Sequence, residues 1–167
     1  MKTIPILLLA AMLCAAACNP REPQGPKVGV GDPVPAFETE TLSGDIFDSR
    51  EFRGKPTVLV FFSTGCIDCR EEIPTLQAFH EACGDDVARL MLVGRDETAS
   101  GIRSYWKENA LTIPVCAGNG RNEYSLFAYS GIPRIFIYDK DGVIRLTYGP
   151  EDRPSVNALL SFIESIR

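Results

Sequence analysis

Cys66 and Cys69 are separated only by Ile67 and Asp68, at a point where the hydrophobic pattern changes period. Before them runs Thr57-Val58-Leu59-Val60-Phe61-Phe62, continuous, apolar and rich in β-branched and aromatic residues. That composition predicts a buried strand. After them, Arg70-Glu71-Glu72-Ile73-Pro74-Thr75-Leu76 reads as the first turns of a helix. A Cys-X-X-Cys pair at such a junction sets the first sulfur at a helix N-terminus, where the dipole and unpaired backbone N–H groups favour a thiolate. A thiolate attacks disulfides, and a second cysteine at this spacing can resolve the mixed disulfide that forms.

The same pair could be half of a zinc site, which needs two further ligands. The only His is His80, and the remaining downstream cysteines, Cys83 and Cys116, stand singly. On a helix His80 would lie about 16 Å along the axis from Cys69, too far to act as base to Cys66. No metal or other cofactor is therefore expected. Cys83 and Cys116 are expected on opposite sides of a parallel layout and so unpaired, with Cys116 close enough to the active side to be a candidate auxiliary thiol. Asp139-Lys140-Asp141-Gly142 fits a hairpin turn better than a calcium loop, which needs more oxygen ligands at set spacing.

The surrounding elements follow from pattern. A β-hairpin is predicted at 37–41 and 46–48, around Ser43-Gly44-Asp45. The strand at 57–62 is followed by a helix over 67–83, stopped by Gly84. Further strands are predicted at 87–93 and 113–116, and further helices at 99–109 and 122–129. A hairpin of 134–138 and 143–147 precedes a closing helix over 154–166, with Pro154 in its first turn. Strands alternating with helices, then a hairpin and a helix, argue an α/β domain with a mixed central sheet.

Residues 1–17 have the layout of an export signal: Lys2, an apolar stretch from Ile4 to Leu13, then Ala15-Ala16-Ala17. The stretch is too short to span a membrane. Cys18, directly after the small residues, looks like a bacterial lipoprotein processing site, although Ala15 stands where Leu is usual. An ordinary cleaved signal is the alternative. Residues 18–27, with Pro20, Pro23 and Pro26, read as a tether, leaving 28–167 as one domain. The chain carries 17 Lys and Arg against 22 Asp and Glu. No basic run suggests nucleic acid. Outside the cytosol disulfides persist, so an exported dithiol acting as a reductase needs a partner to recharge it.

Several segments in order resemble the TlpA/ResA-like, thioredoxin-fold thiol–disulfide oxidoreductases of bacterial envelopes. They are Val30-Gly31-Asp32-Pro33-Val34-Pro35-Ala36-Phe37, Phe52-Arg53-Gly54-Lys55-Pro56, Cys66 through Pro74, Gly131-Ile132-Pro133 and Tyr138 through Gly142. The resemblance implies a thioredoxin fold with an N-terminal hairpin extension and an enzyme acting on client proteins, with a membrane electron donor or acceptor. It implies that Cys66 attacks, that Cys69 is the buried resolving sulfur, and that the two form the redox disulfide. It makes Pro133 a cis-proline facing that disulfide, and Ile132 the residue whose backbone pairs with a client. Glu72 falls at the family's acidic position, where a desolvated carboxyl can take and return a proton.

Three positions depart from the family. Gly65 replaces a common Trp before the first cysteine, which predicts a more mobile loop. Asp68 brings a negative charge beside Cys66, with Arg70 as the expected offset. Arg134 replaces a usual Thr after the cis-proline; it is read as an exposed strand-end charge, or else as an attractor of acidic substrates. Two other functions compete. A thiol peroxidase shares the opening Gly-Asp-Pro pattern, but no proline lies between Pro56 and Cys66 where peroxiredoxins place one. A non-catalytic thioredoxin-fold lipoprotein is the third reading, prompted by Gly65 and Asp68.

Overall fold

The computed structural model describes residues 23–51 and 54–167. The expected signal, Cys18 and the first part of the tether lie outside the described residues, as do Phe52 and Arg53. Among the described residues no helix is long and apolar enough to cross a membrane.

The chain opens with a short hairpin, β1 (Glu38–Glu40) against β2 (Ile46–Asp48). Then come β3 (Thr57–Phe62), α1 (Ile67–Cys83), β4 (Arg89–Gly94) and α2 (Ala99–Glu108). They are followed by β5 (Val115–Cys116), α3 (Asn122–Phe127), β6 (Arg134–Tyr138), β7 (Ile144–Tyr148) and α4 (Val156–Ser165). Five strands form one mixed sheet in the order β5-β4-β3-β6-β7. β3, β4 and β5 run parallel; β6 is antiparallel to β3, and β7 to β6. This is the expected α/β thioredoxin fold with its N-terminal hairpin.

β3 is the central strand, and every residue of it is buried. A strand covered on both faces has no polar side to show, which is why its sequence is unbroken apolar and not alternating. Phe61 lies at the middle of an aromatic group, with ring centroids 5.0 Å from Phe127, 5.6 Å from Tyr124 and 6.2 Å from Phe136. Each such buried ring contributes roughly 1.5–3 kcal/mol from removed apolar surface alone. On the other side Phe62 meets Trp106 of α2 at 5.3 Å, and the Trp106 indole N–H donates to the Ile113 carbonyl at 2.9 Å.

The segment before β3 is bonded to both outer strands. Gly31 N–H donates to the Ile144 carbonyl at 2.8 Å, and Ile144 N–H to the Asp32 carbonyl at 2.9 Å. Leu42 N–H reaches the Val115 carbonyl at 2.9 Å, and Thr41 bridges to Cys116. The buried Ser49 hydroxyl accepts from Phe37 N–H and donates to the Pro35 carbonyl, fixing the hairpin to its own lead-in.

Several element boundaries differ from the sequence reading by a residue or two, those of β4, β5 and the last helix among them. β4 starts at Arg89, because Val87 and Ala88 N–H groups turn back onto the Gly84 carbonyl. β5 is only two residues long. Pro154 precedes the last helix: Ser155 is the N-cap, its hydroxyl accepting from Ala158 N–H at 3.2 Å.

Candidate active site

The central strand ends at Phe62, and Ser63-Thr64-Gly65 carries the chain to α1. Cys66 is the N-cap of α1, in extended backbone (φ −87°, ψ 126°). Its side chain is half-buried and lies under the loop before β6, the thiol donating to the Ile132 carbonyl at 3.6 Å. The Ile132–Pro133 peptide bond is cis. Cys69, one turn along, is buried at 1 % exposure. Burial pushes its thiol well above the ordinary range; the neighbouring Cys66 sulfur adds to this, while the Ser63 backbone and the Arg95 charge oppose it. Both cysteines are thiols in this structure. One sulfur is reachable at a helix N-terminus and its neighbour is withheld, an arrangement in which the first attacks and the second completes the exchange.

Glu72 follows Cys69 at helical i,i+3 spacing, which puts the two on one face. It is 2 % exposed, and its Oε1 has no hydrogen-bond partner among the described residues. Desolvation raises its pKa to about 7, with the Arg153 charge pulling the other way. A carboxyl in that range exchanges protons near neutral pH, whereas an ordinary surface Glu is always ionised there. Pro74 lies inside α1 two residues later. Having no N–H, it removes the donor that the Arg70 carbonyl would have used.

The loop before Cys66 is tied down by a residue that sequence reasoning missed. The Glu97 carboxylate accepts from the Ser63 hydroxyl at 2.7 Å, from Thr64 N–H at 2.6 Å and from the Thr64 hydroxyl at 3.0 Å. Arg70 adds a bond from its Nε to the Thr64 carbonyl. The mobility expected from Gly65 is therefore opposed by an anchored turn on its N-terminal side. Glu97 can come this close because Gly94 has no side chain: a Cβ there would lie 2.8 Å from the Glu97 Cβ and 2.6 Å from the Ala117 carbonyl oxygen. The available signal was position. Glu97 lies just past the carboxyl end of a parallel strand, the edge where open α/β sheets gather their functional loops.

Two charged residues differ from expectation. Asp68 is offset by Arg153, from the loop before α4, at 2.8 Å; the same guanidinium also pairs with Glu71. Arg70 instead turns to Thr64 and the Tyr105 ring. Arg134, expected as an exposed strand-end charge, is buried at 9 % exposure, its Nε donating to the Ser130 carbonyl at 2.8 Å. The reason lies in the loops at the end of the sheet: the guanidinium is set against Gly25, Gly131 and Gly149 and bonded to the Ser130 carbonyl.

Cys116 has no exposed surface, and its sulfur lies 3.6 Å from the Met91 sulfur. Burial, with the Glu123 charge, pushes its thiol to about 12. A sealed, protonated thiol is unsuited to the auxiliary role considered above. His80 lies near the far end of α1. Asp139 closes the β6–β7 turn, its carboxylate accepting from Asp141 and Val143 N–H and from Arg145.

The family model described as "AhpC/TSA family" matches residues 30–147, more than half of the chain. Thiol-disulfide oxidoreductase ResA of Bacillus cereus is 24% identical over 138 residues, covering 82% of this chain and 80% of the relative. Sporulation thiol-disulfide oxidoreductase A of Bacillus subtilis is 28% identical over 154 residues, covering 87% and 86%. Among solved structures, the thiol:disulfide interchange protein of the thioredoxin family from Chlorobium tepidum TLS superposes with a TM-score of 0.71 at 21% identity, over 83% of this chain and 98% of that one.

Proposed function

This chain belongs to the AhpC/TSA family and is a thiol–disulfide oxidoreductase of the ResA/TlpA-like kind, and on that premise we propose that Cys66 and Cys69 are its working pair and that it reduces disulfides in exported client proteins. The observation that carries the reading is the contrast between the two sulfurs: Cys66 half-buried at the N-cap of α1 against the Ile132 carbonyl, and Cys69 sealed behind it.

The reaction proceeds in two exchanges. The Cys66 thiolate attacks a client disulfide; one S–S bond forms to the client, the client's own S–S bond breaks, and one client thiolate leaves. Cys69 then gives up its proton and attacks the Cys66 sulfur, forming the Cys66–Cys69 disulfide and releasing the second client thiolate. Glu72, on the same buried face as Cys69, accepts that proton. The client is reduced by two electrons and the protein oxidised by two, so a membrane dithiol donor must return them. Ile132 and Pro133 line the place where the client chain lies, the Ile132 backbone being its pairing partner. Residues 1–17 act as an export signal. Cys18 carries the lipid, and residues 18–27 tether the domain to the membrane.

Reduction of insulin disulfides by the full chain, compared with Cys66→Ser, tests the reading. Turnover by the folded wild type that is lost in the variant supports it; a folded wild type without activity refutes it. The direction of the reaction is read from the reduction potential of the pair. A value nearer thioredoxin's, about −270 mV, than DsbA's, about −120 mV, marks a reductase.

A further inference from the structure

Beside the Ile132–Pro133 loop is an open cavity of about 610 Å³ with Arg134 in its wall. A guanidinium carries five N–H donors and no acceptor. Here one donor, Nε, is bonded to the Ser130 carbonyl. Among the described residues no carboxylate stands within ion-pair distance of Arg134, although the residue is more than nine-tenths buried. Neither Nη is among the sealed side-chain nitrogens that lack a partner, so the outer edge of the fork opens to solvent, where an anion can meet it without displacing an internal partner.

The walls permit that approach. Three glycines lie close to the Nη atoms, so no side chain crowds the fork at those positions. A Cβ on Gly131 would lie 3.1 Å from Nη2 and 3.1 Å from Pro150 Cγ; one on Gly25 would lie 3.8 Å from Nη2, and one on Gly149 3.7 Å from Nη1. The outer Nη1 and Nη2 edge is the face of the fork that takes a carboxylate in two parallel bonds. Two carboxylates of the chain, Glu151 and Asp152, line the same cavity but stay exposed on its rim.

We propose that this cavity is a carboxylate subsite for the client polypeptide, holding an Asp or Glu side chain over Arg134. The inference rests on the proposed role of Ile132 as the client's pairing residue. Ser130 and Gly131, which line the cavity, are the next residues along that backbone. A client chain extended there, at ~3.3 Å per residue, brings a side chain about two positions from its reacting cysteine over the guanidinium. The subsite gives the enzyme a preference for cysteines in acidic surroundings.

The test uses the reduced full chain and two synthetic peptides, each presented as a mixed disulfide with a small thiol. They are identical except for Glu or Gln two residues from the cysteine, and each is made in both directions from it. Stopped-flow exchange is expected to run about tenfold faster with Glu at low salt, as for one charge-assisted bond. The ratio is expected to shrink as salt is raised, and to fall to about one in Arg134→Gln. Gly149→Ala, whose new Cβ fits at ordinary contact distance, narrows the approach and lowers the ratio in a chain that keeps its arginine. Equal rates for the two peptides in the wild type, or a preference that survives Arg134→Gln, would overturn the subsite. Exchange with neither peptide would instead refute the redox role of Cys66, and the subsite with it.

Discussion

Replacing Glu72 by Gln removes the only carboxyl on the buried face of α1 while keeping its shape. Glu has an ordinary pKa of 4.5, and burial lifts this one to about 7 in the folded chain. Between those values the native state holds a proton that the unfolded state has lost. The contribution of Glu72 to stability is therefore fully present below about pH 4.5 and is lost as pH rises through about 7. The gap between the two values, at about 1.36 kcal/mol per pH unit, is worth on the order of 3 kcal/mol. Gln carries no charge to bury, so the variant escapes that loss. Urea unfolding of the reduced wild type and of Glu72→Gln, followed from pH 5 to 8, measures it. The variant's advantage is expected to be small at pH 5 and to grow towards about 3 kcal/mol at pH 8. The exchange rate is the second readout, with an inflection near pH 7 expected in the wild type and absent in the variant. A stability difference that does not change with pH would refute the reasoning, since it would mean that Glu72 titrates alike in the folded and unfolded chain.

Other expectations follow from the same geometry. Cys69→Ser is expected to accumulate the mixed disulfide with a client, visible as a shifted band on a non-reducing gel, because Cys66 attacks but nothing resolves the product. Arg153→Ala removes the charge that holds the Glu72 pKa down, so the inflection of the exchange rate should move to higher pH; an unmoved inflection would show that the two do not interact. Glu97→Ala leaves the Ser63–Thr64 turn without its acceptor and is expected to cost about 1–3 kcal/mol in urea unfolding and to slow exchange. Glu97→Gln, which keeps one oxygen, should recover part of both.

Much of the fold was legible because its signals are local. The unbroken apolar run at Thr57–Phe62 and the positions of Ser43-Gly44-Asp45 and Gly84 marked elements that the structure reproduces closely. The cysteine pair was legible for the same reason, since its spacing and its strand-to-helix setting lie within a dozen residues. What escaped is long-range. Glu97 reaches partners more than thirty residues away, and Arg153 pairs with Asp68 across 85 residues. Nothing in the neighbourhood of either residue announces a partner. Of the two readings of Arg134, the exposed strand-end charge failed because the residue's burial comes from the loops at Gly25, Gly131 and Gly149, which meet it only in the folded chain. Pro154 shows a smaller limit: it was read as lying in the first turn of the last helix, but it precedes the helix, whose N-cap is Ser155.

The stretch that precedes β3 has a role beyond completing the fold. A sheet whose outer strands keep free N–H and C=O groups is a template on which another chain can pair. Here residues 31–34 are bonded to the start of β7 and residues 41–42 to β5, so one continuous segment meets both rims of the sheet. A chain shortened to begin at β3 would keep its cysteines and its central strand, but both rims would be open at once. Such a chain is expected to pair with its own copies through those outer strands. The N-terminal extension thus covers part of each rim and is expected to limit pairing between copies of the chain.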